Sequence, residues 1–166
     1  MNYPRTDVIW NGHESTHWWV RSDDLEKFSP IKQVYAICFN DVGEILVCRS
    51  NSEGKWQIPG GHPENNESIE ETLRRELLEE VDLKVKNIHS LGVQEVEFEK
   101  NPEHFYQARC ICYVDELLPQ TVDPASGETW ERKFVPASEI IQIVQWGDAG
   151  DAMFADAIEL WKRTHK

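Results

Sequence analysis

Hydrophobic positions along this chain are grouped in short β-branched runs through residues 31–114, and the spacing turns helical in two places. Ile31 to Phe39 (IKQVYAICF) is nearly continuous in apolar residues. Asn40-Asp-Val-Gly43 then supplies turn chemistry and Glu44 to Arg49 returns, which predicts a hairpin. Further strands are predicted at Lys84–His89, Gly92–Glu99 and Phe105–Val114. Between these runs, Ile69, Leu73 and Leu77 recur at helical spacing, predicting a helix from about Ile69 to Val81. Ser68 and Glu71 form a capping-box pattern at its start. Near the end of the chain, Met153, Phe154, Ala157, Leu160 and Trp161 define the packing face of a second helix over Ala149–Arg163. A short helix or turn near Ser138–Val144 precedes it. Strands in the middle with helices around them predict an α/β (α+β) sandwich.

Residues 1–30 follow neither pattern. Trp10, Trp18 and Trp19 lie among polar residues with His13 and His17 nearby, Ser22-Asp-Asp-Leu-Glu26 reads as a short helix start, and Pro30 closes the segment. The predicted organisation is an N-terminal extension, 1–30, packed on one domain, 31–166. The tryptophans are expected to cover a site or a homodimer interface, because aromatics set in a polar stretch favour contacts.

Charge narrows the partners. With 17 Lys+Arg against 30 Asp+Glu, the net charge of −13 argues against a protein held on the phosphates of long nucleic acid. A small phosphate ligand remains compatible, since a bound cation reverses the local sign. No apolar run reaches the length of a membrane span, and the N-terminal residues lack a secretory layout. A soluble, cytoplasmic protein is expected. Cys38, Cys48, Cys110 and Cys112 sit inside apolar runs and read as reduced core residues; on a strand, Cys110 and Cys112 share one face.

The 69–81 helix carries the chemistry. At about 100° per residue, with Ile69 at zero, Leu73 and Leu77 fall near 40° and 80°, while Glu80 falls near 20° and Glu76 near 340°. Glu79 lies beside Glu76, and Arg74 and Arg75 point elsewhere. Acidic helices ordinarily turn their charge away from the core, yet here two carboxylates one turn apart border the buried stripe. Such a pair needs positive compensation, and a divalent cation suits the closely spaced hard oxygens. Upstream, Gly60-Gly61 marks backbone that approaches something closely, with carbonyls able to add a metal ligand.

Gly61, Glu67 and the run Arg75-Glu76-Leu77-Leu78-Glu79-Glu80-Val81-Asp82-Leu83 closely resemble the Nudix box, the signature of the Nudix hydrolase family. The departure is Asp82, where the family usually has glycine; Asp tolerates a left-handed conformation, so a small stability cost is expected. Trp56-Gln-Ile-Pro-Gly-Gly61, Leu46-Val-Cys-Arg49 and the segment Glu131–Ile140 resemble flanking parts of the family. The resemblance implies a Nudix α/β/α sandwich with a mixed central sheet and the box as loop–helix–loop.

It also implies Mg²⁺-dependent hydrolysis of a nucleoside diphosphate linked to a further group, by water attack on phosphorus. Mn²⁺ would be an acceptable substitute. Glu76 and Glu80 match the principal metal ligands, with Glu79 and a carbonyl of Gly60 or Gly61 in addition. Glu67 and Arg75 match the structural pair that positions the glutamates. Glu76 or a loop acid would take the proton, with Glu131 the best match and Glu128 a competitor. Arg49 and Lys55 are expected phosphate contacts, and Phe98 or Trp130 a stacking partner for a base. The default substrate is a nucleoside triphosphate, including damaged ones, with ADP-sugars and dinucleoside polyphosphates as alternatives. A non-catalytic nucleotide or sugar-phosphate sensor on the same fold is the reading from another class. Isoprenoid diphosphate isomerisation is disfavoured because the cysteines read as buried.

Overall fold

Residues 34 to 39 divide by parity. Val34, Ala36 and Cys38 turn to one side and Ile37 and Phe39 to the other, all fully buried, as expected for a strand covered on both faces. The computed structural model describes residues 2–51 and 54–166, the side chains of residues 102 and 103 excepted. In chain order the elements are β1 (Arg5–Trp10), β2 (His13–Arg21), β3 (Ile31–Phe39), β4 (Glu44–Arg49), β5 (Gly60–Gly61), α1 (Ile69–Val81), β6 (Leu83–Phe98), β7 (Asn101–Leu117) and β8 (Glu131–Pro136). A 3₁₀ turn over Ala137–Glu139 leads into α2 (Ile140–Val144) and α3 (Gly147–Thr164). The strands build one sheet in the order β1-β2-β6-β7-β3-β4-β8, with β5 also paired to β3. The β3–β7 pair is parallel and the rest are antiparallel, so the sheet is mixed.

Two apolar layers follow from the parity. On one side α1 places Leu73, Leu77 and Val81 over Val34, Ala36, Ala108 and all four cysteines. On the other, Met153, Phe154 and Ala157 of α3 meet Ile37, Phe39, Ile45 and Ile111. Each fully buried aliphatic side chain contributes about 1.5–3 kcal/mol. The helix–sheet–helix sandwich expected from the sequence is the architecture found.

Three expectations change. First, residues 5–21 are β structure: β1 and β2 form a hairpin across Asn11-Gly12, both at positive φ (50° and 78°), and β2 pairs with β6 along Ser15–Arg21. Second, Ser22 starts no helix; its hydroxyl accepts from the Asp24 N–H and donates to the Asp24 carbonyl, a local turn that competes with helix formation. Third, the two strands expected over 84–99 are one, β6, carried through its irregularities by bulges between Lys86 and His89 and between Ser90 and Gly92. A β-carbon at Gly92 would meet the Trp19 ring at 2.7 Å, which is why glycine stands there.

The hairpin is locked to the far end of the chain. The Ala149 N–H donates to Thr6 Oγ1 at 2.9 Å. The Trp19 indole donates to Asp156 at 2.7 Å, and Arg21 pairs with both Asp156 and Glu159.

Candidate active site

Helix α1 begins with the capping box expected from Ser68 and Glu71, both reciprocal hydrogen bonds being present, a contribution of about 1 kcal/mol. Leu73, Leu77 and Val81 anchor one stripe, and this orientation carries Glu76 and Glu80 against Gly60 and Gly61 of β5. The Gly60 N–H donates to Glu80 Oε2 at 3.2 Å. A β-carbon at Gly61 would collide with the Glu76 carboxylate, so the second glycine leaves room for that acid. At Gly60 a β-carbon would strike the Val34 carbonyl and the Tyr35 ring. The close backbone approach read from Gly60-Gly61 therefore has a contact behind each residue.

Arg75 does not point away from the acids. Its guanidinium donates to Glu67 at 2.9 Å, to Glu76 at 2.9 Å, to Glu79 at 3.2 Å and to the His62 carbonyl at 2.9 Å. The long side chain curls across one turn of the helix, which a wheel of Cα directions does not represent. The hydrogen bond from Arg75 holds Glu67 below the usual carboxylate range.

Glu80 is treated differently. Among the described residues it has the Gly60 N–H but no cationic partner. Burial pushes its carboxyl up to about 8, with the neighbouring charges of Glu76, Asp123 and Glu79 acting in the same direction. Burial also raises Glu76, opposed by Arg75. A hard-oxygen donor set short of positive charge fits a divalent cation. Arg75 holds Glu76 and Glu79 to itself, and no ready-made set of three or more ligands converges among the described residues. Glu80 is thus the acid clear of Arg75, and Glu76 and Glu79 would each have to turn from Arg75, or offer the oxygen it leaves, to join a metal.

Asp123 has no counterpart in the sequence reading. It is 3 % exposed and accepts hydrogen bonds from Ala125 N, Ser126 Oγ and the Trp130 indole. Its charge acts on both Glu76 and Glu80. The only signal was the turn composition of Asp123-Pro-Ala-Ser-Gly127.

Across Gly60 and Tyr35, on the α3 side of the sheet, lies a cavity of about 520 Å³. Its walls include Trp10, Tyr35, Trp56 and Trp146, with Lys55 at the margin and Arg109 buried in its lining.

The NUDIX domain family model matches residues 29–156. The chain belongs to the Nudix family. An RNA pyrophosphohydrolase of Ectopseudomonas mendocina is 41 % identical over 69 residues, 42 % of either chain. An oxidized purine nucleoside triphosphate hydrolase of Danio rerio is 36 % identical over 83 residues, 45 % of this chain and 53 % of that one. These matches span about half or less of the relatives' own length. Among solved structures, a pyrophosphohydrolase of Bacillus subtilis superposes with a TM-score of 0.65 at 17 % identity, over 96 % of this chain and 98 % of the other. A Nudix hydrolase of Nitrosomonas europaea gives 0.60 at 20 % identity, over 82 % and 92 %. At such identities the likeness is one of fold.

Within this Nudix frame the remaining candidates fall in different places. Asp82 caps α1 in the left-handed conformation (φ 50°, ψ 46°), as read from its position in the box. Arg49 and Glu131 face each other across β4 and β8 and form an ion pair at 2.6 Å. Arg49 also lies over the Trp56 ring at 4.3 Å, with Lys133 on the same ring at the same distance. Phe98 stacks behind Trp10, centroids 5.7 Å apart, and lines a separate hollow with His13 and Lys100. Trp130 stands with Asp123, not in the wall of the aromatic cavity. All four cysteines are buried and unpaired. No helix among the described residues is long and apolar enough to cross a membrane.

Proposed function

We propose that the chain is a divalent-cation-dependent pyrophosphohydrolase acting on a nucleoside diphosphate linked to a further group, with nucleoside triphosphates as the default substrates. The observation that carries this reading is the inward pair Glu76 and Glu80, the second without a cationic partner and pushed up to about 8. Two such acids packed against β5 cost stability unless a ligand of opposite sign uses them. Glu76 and Glu80 would hold Mg²⁺ or Mn²⁺, with Glu79 and a carbonyl of Gly60 or Gly61 as further donors. When bound, the cation would offset the diphosphate charge and make phosphorus easier to attack.

The chain's own residues do the rest. Glu67 fixes Arg75, and Arg75 fixes the direction of Glu76. Glu76, raised by burial, is the favoured acceptor for the proton of the attacking water. Glu131 is likewise paired, to Arg49, and its greater exposure, 43 % of the side chain against 13 % for Glu76, makes it the weaker candidate. Lys55, exposed at the cavity margin, is the phosphate contact the arrangement favours, since Arg49 is engaged. The nucleoside would occupy the aromatic cavity across Tyr35, leaving its phosphates toward α1. The four buried thiols support a reducing, cytoplasmic setting.

A second reading, 5′-triphosphorylated RNA, is favoured by the names of several relatives. The net charge of −13 opposes any long basic track for the strand, so only the terminal nucleotides would be held. The test is a product panel with Mg²⁺: nucleoside triphosphates, ADP-ribose, dinucleoside polyphosphates and short triphosphorylated RNA. Turnover abolished by EDTA is expected. Tight binding without products from any member would replace the hydrolase with a sensor.

A further inference from the structure

The family match begins at residue 29, yet the cavity across Tyr35 is walled in part by the hairpin that precedes it, through Thr6, Val8, Trp10 and His17. Strand register accounts for this. His17, Gln94, Gln107, Arg109 and Tyr35 fall on one face of four neighbouring strands, β2, β6, β7 and β3, and all five line the cavity. Their hydrogen bonds close among themselves. Arg109 Nη2 donates to the side-chain oxygens of Gln94 and Gln107, each at 2.8 Å. The Gln94 amide donates to His17 Nδ1 at 2.6 Å, and the Gln107 amide donates to Gln33. Burial, with the Arg109 charge added, depresses His17 to about 4, so the imidazole is neutral and accepts. Arg109 is 2 % exposed and its unpartnered Nε has no accessible surface. The floor thus presents amides, an imidazole and the Tyr35 ring.

Charge is sorted around this floor. In a chain of 30 Asp+Glu, no acid lines the cavity among the described residues, and the exposed cation is Lys55 at the margin. An uncharged flat ring inside, with an anionic group at the mouth, matches that distribution. Three tryptophans, each half-buried, stand in the walls. Trp56 already carries Arg49 and Lys133 at 4.3 Å from its ring. Trp146 is backed by Phe154, centroids 5.9 Å apart. Trp10 is braced most: Phe98 lies nearly parallel to it at 5.7 Å and 18°, His17 meets it edge-on at 5.9 Å, and Phe105 is tilted against it at 6.1 Å. A ring held this firmly before a ligand arrives loses little freedom on stacking.

We infer that Trp10 is the specificity-determining residue of this cavity: it stacks on the base of the substrate. The β1–β2 hairpin, outside the matched domain, thereby makes the chain select diphosphates that carry a nucleoside over those that do not. Stacking reads the face of a ring and not its edge, so adenine and guanine both gain from it. This inference rests on the cavity being the nucleoside site of the proposed hydrolase.

The test is calorimetric binding to the full chain in EDTA, comparing AMP and GMP with ribose 5-phosphate, which keeps the anionic group and lacks the ring. Stacking on an aromatic side chain is worth about 5- to 150-fold in affinity, so each nucleotide should bind at least about fivefold tighter than ribose 5-phosphate. Ribose 5-phosphate binding as tightly as the nucleotides overturns the inference. Trp10→Leu keeps an apolar side chain against Phe98 and should bring both nucleotides to within about threefold of ribose 5-phosphate; a folded variant that keeps the parent's preference also overturns it. Should the leucine variant fail to fold, Trp10→Phe decides: its smaller ring should lower the preference by about two- to threefold, and an unchanged preference counts against Trp10. Because binding is read without turnover, a base-dependent affinity in a protein that hydrolyses nothing leaves the base site standing and removes the hydrolase. Hydrolysis of nucleoside triphosphates and inorganic tripolyphosphate with equal kcat/KM does the reverse.

Discussion

The carboxylate of Asp82 accepts two hydrogen bonds from Thr121, one from the backbone N–H at 2.8 Å and one from the hydroxyl at 2.5 Å. The backbone of the same residue is linked to that loop as well, the Leu118 N–H donating to its carbonyl at 2.9 Å. The residue that replaces the usual box glycine therefore ties the end of α1 to the loop carrying Asp123. Its left-handed conformation is a local cost that these contacts offset.

Asp82→Gly should then destabilise the protein, although it restores the family residue. Relief of the left-handed strain is about 1 kcal/mol, against about 1.5–3 kcal/mol for hydrogen bonds to a charged group. A net loss of about 1–2 kcal/mol in urea unfolding is expected. A glycine variant as stable as the parent would show that the anchor contributes nothing.

Gly61→Ala should fold and lose activity. The added methyl meets the end of the flexible Glu76 side chain, which can swing away at little cost to the fold but leaves its working position. Turnover is expected to fall by at least about tenfold, with Tm within a few degrees of the parent. Parent-like kcat/KM would mean that the placement of Glu76 beside β5 has no bearing on catalysis.

Arg75→Lys keeps the charge and loses the fork. One ammonium cannot hold Glu67, Glu76, Glu79 and the His62 carbonyl together. Activity should drop by about tenfold or more. The measurement is kcat/KM beside a Glu67→Gln variant, and the double variant should lose little beyond either single one. Additive losses would separate the pair.

In EDTA, stability should fall as pH rises. Glu80 titrates near 8 in the folded chain against 4.5 ordinarily, so the folded state holds its proton more tightly. The contribution is full below about 4.5 and is lost as pH climbs through about 8. The size is on the order of a few kcal/mol. Thermal melts from pH 5 to 9 should show the decline, Mg²⁺ should restore stability at the upper end, and Glu80→Gln should flatten the difference. A parent and variant with parallel pH profiles would contradict the buried, unpaired state of this acid.

Glu80→Gln should also lose more than about 100-fold in rate while melting no lower than the parent in EDTA at pH 8. Turnover close to the parent's would remove this residue from the metal site.

Helix α1 could be read from sequence because every local signal agrees: cap, apolar period and the misplaced acids. The hairpin β1–β2 was missed although Asn11-Gly12 is a strong turn signal. Its strands are half exposed, so their apolar residues do not stand out, and the tryptophans read as surface features. Arg49 and Glu131 were each legible as charged residues near the box, but their mutual pairing depends on the β4–β8 register, which no local pattern encodes. Arg109 carries the same lesson in reverse: a charge inside a fully buried run is visible in the sequence, but its cavity is built from β1, β2, β6 and the α2–α3 junction. Phe98, one of the candidates for stacking on a base, backs Trp10, a contact that depends on the β1–β2 and β2–β6 registers and that no local pattern encodes.

The contact between Thr6 and the first turn of α3 spans 143 positions. During synthesis the hairpin leaves the ribosome long before its mate exists, so it must wait, unpaired at its outer margin, until nearly everything else has been translated. Such non-local closure slows folding and exposes an open strand meanwhile. The aromatic cavity is accordingly the last part of the molecule to take shape, and a polypeptide halted before Trp146 has a complete α1 with its acids but lacks one wall of that cavity.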